Sequence, residues 1–136
     1  MKYLFDTDTL SGLLRRAPSR TLVRRFATTA PEDQFTSSIT VGELYYGARR
    51  LGDRSDDLVR RIEEALIGNL AVLPFDTAAA RVYGAFRAEL ERRGTPIGDA
   101  DLRIASIAAA NELTVVTGNV RHFQRVPNLF VENWLI

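Results

Sequence analysis

The feature that most constrains the fold is an alternation of short strand-like segments with longer helix-like ones. Apolar and β-branched residues predict strands at 2–6, 35–39, 71–75, 113–117 and 129–131. Apolar residues at helical spacing predict helices at 9–16, 19–29, 41–51, 55–68, 77–93 and 100–111. Such an alternation is typical of an α/β domain with a mainly parallel central sheet flanked by helices. Because 136 residues with 46% hydrophobic content suffice for one core, we expect residues 1–136 to form a single domain.

The absence of certain residue types and segments excludes several kinds of functional site. There is no cysteine, so disulfides, thiolate metal sites and cysteine nucleophiles are excluded, and a metal would have to bind oxygen ligands. No apolar run reaches the roughly 18 residues of a membrane span. A predicted strand already begins at residue 2, so we expect no signal peptide and a cytoplasmic location.

The charged residues nearly cancel, with 18 Lys and Arg against 17 Asp and Glu. Net charge therefore does not indicate a nucleic-acid-binding protein. Lys2 is the only lysine, however, and arginine is the residue that best matches phosphate groups. Ordinary solvated helix faces explain the arginines equally well, and no spacing selects an RNA-binding set among them.

Acidic and amide side chains follow several predicted strands. Asp6 and Asp8 end the first strand, Glu43 comes one helical turn after the second, and Asp99 and Asp101 open a helix. Thr117 and Asn119 end the fourth strand. Because functional groups collect beyond the carboxyl ends of parallel strands, we expect these side chains to meet at one edge of the sheet.

Carboxylates brought together repel each other, which raises their pKa values and costs stability unless a cation binds. Mg²⁺ prefers hard oxygen ligands and leaves room for water and substrate phosphate. Bound metal ions activate water and stabilise the oxygens of an in-line displacement. The acidic set therefore predicts a metal site for phosphoester hydrolysis.

Four motifs, in order along the chain, carry a family resemblance: LFDTDTL at 4–10, SSITVGELYYGA at 37–48, PIGDADLRIAS at 96–106 and VVTGNVRHFQRVPNLFVENW at 115–134. Together they resemble the PIN-domain ribonucleases of the VapC toxin type. The resemblance implies a PIN-like three-layer sandwich and an endoribonuclease that uses Mg²⁺, or Mn²⁺ in its place. It also implies tRNA or another structured RNA as substrate, a VapB-type antitoxin, a homodimer and larger toxin-antitoxin assemblies.

The resemblance also assigns roles to residues. Asp6, Glu43 and Asp101 match the acidic metal site of the family, with Asp6 and Asp101 as direct ligands and Glu43 as a ligand through water or a residue that positions the attacking water. Asn119 completes the catalytic set at a position that is often aspartate in relatives. An amide there carries one negative charge fewer, so a second metal would bind more weakly.

Auxiliary residues have structural alternatives. Asp8 either touches the metal or caps a helix that begins at Thr9, and Asp99 either touches the metal or caps the helix that carries Asp101. Thr117 is expected to hydrogen-bond a carboxylate or a phosphate. The single histidine, His122, is expected on the surface or facing RNA rather than acting as a general base.

Two rival functions remain open on sequence alone. The stretch FDTDT also matches the Asp-x-Asp-x-Thr signature of haloacid-dehalogenase-like phosphatases. Those enzymes use a downstream basic residue, usually a lysine, whereas the only lysine here, Lys2, lies upstream of the motif. The second rival is a PIN-like module that binds RNA or a protein partner without cutting RNA. The intact acids argue against it.

Overall fold

The protein is described by a computed structural model of all 136 residues, with a five-stranded parallel sheet at its centre. The strand order is β3-β2-β1-β4-β5, and every neighbouring pair is parallel. This sheet confirms the predicted α/β class. Each strand lies inside or beside its predicted range: β1 is Tyr3–Phe5, β2 Gln34–Ser37, β3 Ala71–Leu73, β4 Thr114–Val116 and β5 Val131–Glu132.

Seven α-helices surround the sheet: α1 Thr7–Leu13, α2 Arg20–Thr28, α3 Ser38–Arg49, α4 Ser55–Ile62, α5 Thr77–Arg93, α6 Asp99–Ala110 and α7 Val120–Phe123. The helix predicted at 55–68 is therefore two elements, because a π-helical turn, Glu63–Ile67, continues α4. The first helix begins at Thr7 rather than at residue 9, and the third begins at Ser38 rather than at residue 41. No helix combines the length and the apolar composition needed to span a membrane.

Side-chain caps determine where several helices begin. Ser19 caps α2 by accepting a 3.3 Å hydrogen bond from the Leu22 amide, and Asp76 caps α5 by accepting a 2.9 Å bond from the Ala79 amide. Each oxygen satisfies an amide that has no partner inside the helix. The α5 helix ends at Gly94, whose φ of 70° is a left-handed conformation that glycine adopts without steric cost.

Alternate residues of the central strands point to opposite faces and build two cores. Leu4 and Val115 pack with residues of α5 and α6, whereas Phe5 and Val116 pack with residues of α1 to α4. Trp134 closes the second core, and its ring lies 4.9 Å from Tyr3 and 5.2 Å from Phe5 between centroids. Helices therefore cover both faces of the sheet, which is the three-layer sandwich expected from the resemblance.

The strand order creates a crevice between β1 and β4. From β1 the chain proceeds to β2 and β3 on one side, and only then returns to place β4 on the other side. Helices that leave neighbouring strands in opposite directions open a crevice at this switch point, beyond the carboxyl ends of the strands. Asp6 directly follows β1 and Thr117 directly follows β4, so the fold places both at this crevice.

Candidate active site

Asp6 lies at the centre of the candidate site and is only 3% exposed. Its amide donates to the Val116 carbonyl at 3.1 Å, which extends the pairing of β1 with β4 by one residue. Its carboxylate is the N-cap of α1 and accepts a 2.9 Å hydrogen bond from the Thr9 amide. Burial raises the pKa of Asp6, and hydrogen bonds from Thr117 and Thr9 partly offset that rise.

Asp8 does not lie at the N-cap position of α1. It is an exposed residue in the first turn of α1, and the helix begins before it. The alternative that Asp8 caps this helix is therefore wrong, because Asp6 holds that position. A carboxylate in the first turn still interacts favourably with the helix dipole.

Glu43 comes from α3 and is held by a residue of α1. Its carboxylate accepts a hydrogen bond from the Thr7 hydroxyl. Thr7 also lies 3.4 Å from the Thr40 hydroxyl, and the α3 N-cap, Ser37, accepts a 3.0 Å bond from the Thr40 amide. The start of α3 is thus connected to the residue that follows Asp6, which directs Glu43 toward the crevice.

Asp101 comes from the first turn of α6, and its pKa lies well above the usual value of a carboxyl group. Its pKa is raised from 3.8 to about 6, first by burial and then by the negative charges of Asp6 and Glu43. His122 acts in the opposite direction. The charges of Asp6 and Glu43 therefore act on Asp101, as expected for acids that follow parallel strands at one edge of the sheet.

The segment after β4 provides the remaining polar groups. Thr117 is fully buried, and its hydroxyl oxygen accepts a 2.8 Å hydrogen bond from the Asn119 amide. Its side chain also lowers the pKa of Asp6, which agrees with the predicted bond to a carboxylate. The side-chain nitrogen of Asn119 lies 2.7 Å from Nδ1 of His122. His122 is half-buried, and its charge acts on Asp101. The sequence alone does not predict this placement.

Asp99 does not face the other acids. The N-cap of α6 is Gly98, without a side-chain hydrogen bond, so the capping alternative for Asp99 is wrong. Its carboxylate instead accepts hydrogen bonds from the Tyr83 hydroxyl and, at 2.8 Å, from Nε of Arg103. These bonds hold the pKa of Asp99 below its usual range. The Arg103 guanidinium also stacks 5.2 Å from the Phe75 ring.

The acids have no basic partner. None of the ion pairs in the chain includes Asp6, Glu43 or Asp101. As the side chains stand, no three His, Cys, Asp or Glu residues are close enough to surround a metal ion. Mg²⁺ typically takes only one or two carboxylates from a protein and keeps several waters, so an uncompensated group of hard oxygen donors fits it chemically. The assignment of these residues as metal ligands stays a prediction.

Comparisons with known proteins agree with the motifs. A family model described as the PIN domain matches residues 3–129. The tRNA(fMet)-specific endonuclease VapC of Salmonella typhimurium is 38% identical to the chain over 134 residues, which cover 98% of each protein. The chain belongs to the VapC group of the PIN-domain family.

Other VapC proteins support this membership. Ribonuclease VapC2 of Haemophilus influenzae is 36% identical over 137 residues, which cover 99% of each protein. The crystal structure of VapBC2 from Rickettsia felis, bound to a DNA fragment from their promoter, contains a chain that superposes with a TM-score of 0.90 at 31% identity. That match covers 98% of this chain and 99% of the other.

The haloacid-dehalogenase-like alternative is not favoured for a VapC-type PIN domain. The fold adds a geometric reason, because Lys2 precedes β1 and therefore lies at the amino-terminal edge of the sheet. Its ammonium group stands 5.8 Å from the Phe35 ring centroid. The acids lie beyond the opposite edge, so Lys2 is misplaced for holding a phosphoryl group beside Asp6.

Proposed function

We propose that the chain is the toxin of a VapBC-type pair, a Mg²⁺-dependent endoribonuclease that hydrolyses phosphodiester bonds of tRNA or another structured RNA in the cytoplasm. The observation that carries the proposal is the meeting of Asp6, Glu43 and Asp101 in one crevice without a basic partner. Identity of 38% to an endonuclease named for tRNA(fMet) supports both the reaction and the substrate class.

Asp6 and Asp101 are the proposed direct ligands of Mg²⁺, or of Mn²⁺ in its place, and Glu43 would bind through water or position the attacking water. When bound, the ion supplies an activated water and neutralises charge on the phosphate. The shared field that raises the pKa of Asp101 supports this donor set, since a cation at the same place would reverse the repulsion.

The surrounding residues orient the acids. The N-cap bond from the Thr9 amide and the buried Thr117 side chain fix the Asp6 carboxylate, and the Thr7 hydroxyl fixes Glu43. The side-chain nitrogen of Asn119 contacts His122, so the side-chain oxygen of Asn119 is free to bind water or phosphate. Such pre-arranged polar groups lower the reorganisation that the reaction requires.

A VapB-type antitoxin is the proposed protein partner. The Rickettsia felis neighbour is a VapBC complex on promoter DNA, and its toxin-like chain superposes over nearly the full length of this one. We propose the same arrangement here, with a homodimer of the toxin inside a larger toxin-antitoxin assembly. Sedimentation of the chain with and without the antitoxin tests the stoichiometry.

Cleavage of purified tRNA tests the proposed activity. End-labelled initiator tRNA and total tRNA are incubated with the antitoxin-free chain in Mg²⁺, Mn²⁺ or EDTA. We expect cleavage in either metal and none in EDTA. Asp6→Asn, Glu43→Gln and Asp101→Asn should each remove it, and asparagine at position 6 retains the ability to cap α1.

A charge-matched control separates catalysis from net charge. Asp57→Asn removes an acid that is 79% exposed in its side chain and lies on α4, so it should cleave like the wild type. Circular dichroism confirms that every variant is folded. RNA binding with cleavage only at background level in Mg²⁺ would support the binding-module alternative instead. Cleavage that persists unchanged in all three site variants would show that Asp6, Glu43 and Asp101 do not carry the activity.

A further inference from the structure

A second polar cavity adjoins the acidic crevice. It has a volume of about 550 Å³, and its lining includes Asp8, Ser11, Gly12 and Arg15 from the first helical segment and Asn119 and Leu135 from the end of the chain. The size lies within the range of small-molecule sites, about 300–1,000 Å³. Asp8 and Asn119 connect this cavity to the crevice. Asp8 comes two residues after Asp6, and Asn119 comes two residues after Thr117 and donates a hydrogen bond to it.

One face of α1 forms the first wall. Asp8, Ser11 and Gly12 are spaced as i, i+3 and i+4, so they lie on the same side of α1. Arg15 lies two residues beyond the end of the helix at Leu13 and lines the same cavity. Arg61 donates a hydrogen bond to the Leu14 carbonyl and so fixes the backbone directly before Arg15.

Leu135 forms an apolar wall on the other side. A Cβ atom at Gly118 would stand 2.8 Å from Cδ1 of Leu135, and one at Gly12 would stand 3.4 Å from Cδ2 of Leu22. The Leu135 side chain therefore packs directly against the backbone of Gly118, where a larger residue would displace it. The cavity thus has an apolar side at Leu135 and a polar side at Asp8, Ser11 and Arg15.

The polar side is not engaged inside the protein. Among the side-chain hydrogen bonds and ion pairs of the chain, none includes the side chains of Asp8, Ser11 or Arg15. Arg15 carries a positive charge at one end of the cavity, and the acids lie beyond the other end. Arginine binds phosphate with paired N–H donors.

We propose that this cavity binds the nucleotide next to the scissile phosphodiester of single-stranded or looped RNA. Arg15 holds the following phosphate, Leu135 packs against the base, and Ser11, Asp8 and Asn119 hydrogen-bond the ribose and the base edge. Sequence-specific RNA recognition typically uses such extruded bases. The inference rests on the proposed ribonuclease function and assigns a substrate-binding role to residues outside the acidic site.

Nucleotide titration of the antitoxin-free chain tests the proposal. Adenosine and uridine 5′-monophosphates are added to ¹⁵N-labelled protein in metal-free buffer, so that no metal-bound phosphate competes. We expect amide shifts at Ser11, Gly12, Gly118 and Asn119. Arg15→Ala should weaken nucleotide binding about tenfold, which corresponds to about 1.4 kcal/mol.

Arg16→Ala is the matched control, since Arg16 is also exposed but does not line the cavity, and it should bind like the wild type. Wild-type affinity in Arg15→Ala would overturn the proposal. So would inorganic phosphate that binds as tightly as the nucleotides and produces the same shifts, since the cavity would then be an anion site only. Absence of shifts at the cavity with either nucleotide would also overturn it.

Cleavage kinetics distinguish this inference from the proposed function. With Mg²⁺ and labelled tRNA, Arg15→Ala should raise KM about tenfold and leave kcat near its wild-type value, because the lost contact binds substrate and transition state alike. A wild-type chain that cleaves no RNA would defeat the proposed function. A wild-type chain that cleaves, with unchanged KM in Arg15→Ala, would defeat only the nucleotide site.

Discussion

The Thr7 hydroxyl donates a hydrogen bond to the Glu43 carboxylate and thereby joins the first residue of α1 to the middle of α3. Thr7 directly follows Asp6, the buried cap of the same helix. Thr7 therefore links two proposed metal ligands that are far apart in sequence: Asp6 precedes it in the chain, and Glu43 accepts its hydrogen bond. The orientation of Glu43 depends on where α1 begins, and Asp6 determines that beginning.

Thr7→Val should impair cleavage without unfolding the chain. Valine keeps the shape of threonine but removes the hydroxyl, so Glu43 loses a hydrogen bond to a charged group, worth about 1.5–3 kcal/mol. If the bond serves to orient Glu43, kcat should fall about tenfold or more. Single-turnover cleavage of tRNA measures this effect.

Thr7→Ser is the control, since serine retains the hydroxyl, and its kcat should stay within about twofold of the wild type. Thermal melts of both variants show whether stability has changed. A Thr7→Val chain with wild-type kcat would show that Glu43 is oriented without Thr7.

The motif around Asp6 and Asp8 shows what the sequence could and could not predict. The strand and its terminal acids were evident, because an apolar run followed by carboxylates is a local pattern. The sequence offers Asp8 as the cap of the helix, but Asp6, two positions earlier, is an equally good N-cap residue. Pairing of the Asp6 amide with Val116 extends β1 by one residue and settles that choice. That contact comes from the fourth strand and leaves no local signature.

The sequence predicts the place of Glu43 in the fold but not the partners of Asp99. Glu43 was correctly expected at the carboxyl edge, because the parallel sheet determines which edge follows the second strand. Asp99 was ambiguous, and its partners, Tyr83 and Arg103, depend on how α5 packs against α6. Helix packing of this kind rests on contacts between separate elements, so residue type and local spacing do not predict it.

Asp101→Asn should stabilise the metal-free chain at neutral pH. The pKa of Asp101 is raised to about 6 in the folded state, so the folded chain binds this proton more tightly than the unfolded chain does. Stability is therefore lost as pH rises from about 4 to about 6 and stays lower above that window. Thermal melts in EDTA should give a higher Tm for Asp101→Asn at neutral pH and equal values near pH 4.

Asp99→Asn is a control that should change Tm in the opposite direction. The pKa of Asp99 is lowered by its bonds to Tyr83 and Arg103, so its charged form supports the fold at neutral pH and loses that effect as pH falls below about 4. The variant should have a slightly lower Tm than the wild type at neutral pH, by a small amount because the pair is exposed. If Asp101→Asn also lowers Tm, the repulsion among the three acids is not the dominant effect.

Trp134→Ala should cost about 3–5 kcal/mol of unfolding free energy, which is a large part of the stability of a domain of this size. The indole is 1% exposed, and its nitrogen donates a 3.0 Å bond to Glu132, which also accepts a 2.9 Å bond from Arg25. Arg25 lies over the same ring at 4.6 Å. Urea unfolding measures the loss.

Phe130→Ala is the matched control near the same strand, because Phe130 is 75% exposed, and it should change stability by less than about 0.5 kcal/mol. Trp134→Phe should be intermediate, since it keeps much of the buried ring area but loses the donor to Glu132 and part of the indole ring. Equal losses for Trp134→Ala and Phe130→Ala would mean that the carboxyl-terminal segment contributes little to the second core.

Asn119→Asp should strengthen binding of divalent metal and lower the stability of the metal-free chain. The substitution adds a negative charge beside Asp6 and Asp101, and the affinity of a carboxylate site rises with ligand charge. It also replaces the amide nitrogen that contacts His122, so the histidine would then donate to a carboxylate. Calorimetric titration with Mn²⁺ should show about tenfold tighter binding, or about 1.4 kcal/mol.

Asn128→Asp makes the same charge change at the opposite edge of the sheet, in the exposed turn before β5. Aspartate tolerates the φ of 59° at that position, so the control should fold normally. Its Mn²⁺ affinity should equal that of the wild type. If the two variants bind Mn²⁺ equally, long-range charge rather than placement explains any gain. Asn119 then lies beyond the reach of the metal, and the acidic site consists of Asp6, Glu43 and Asp101 alone.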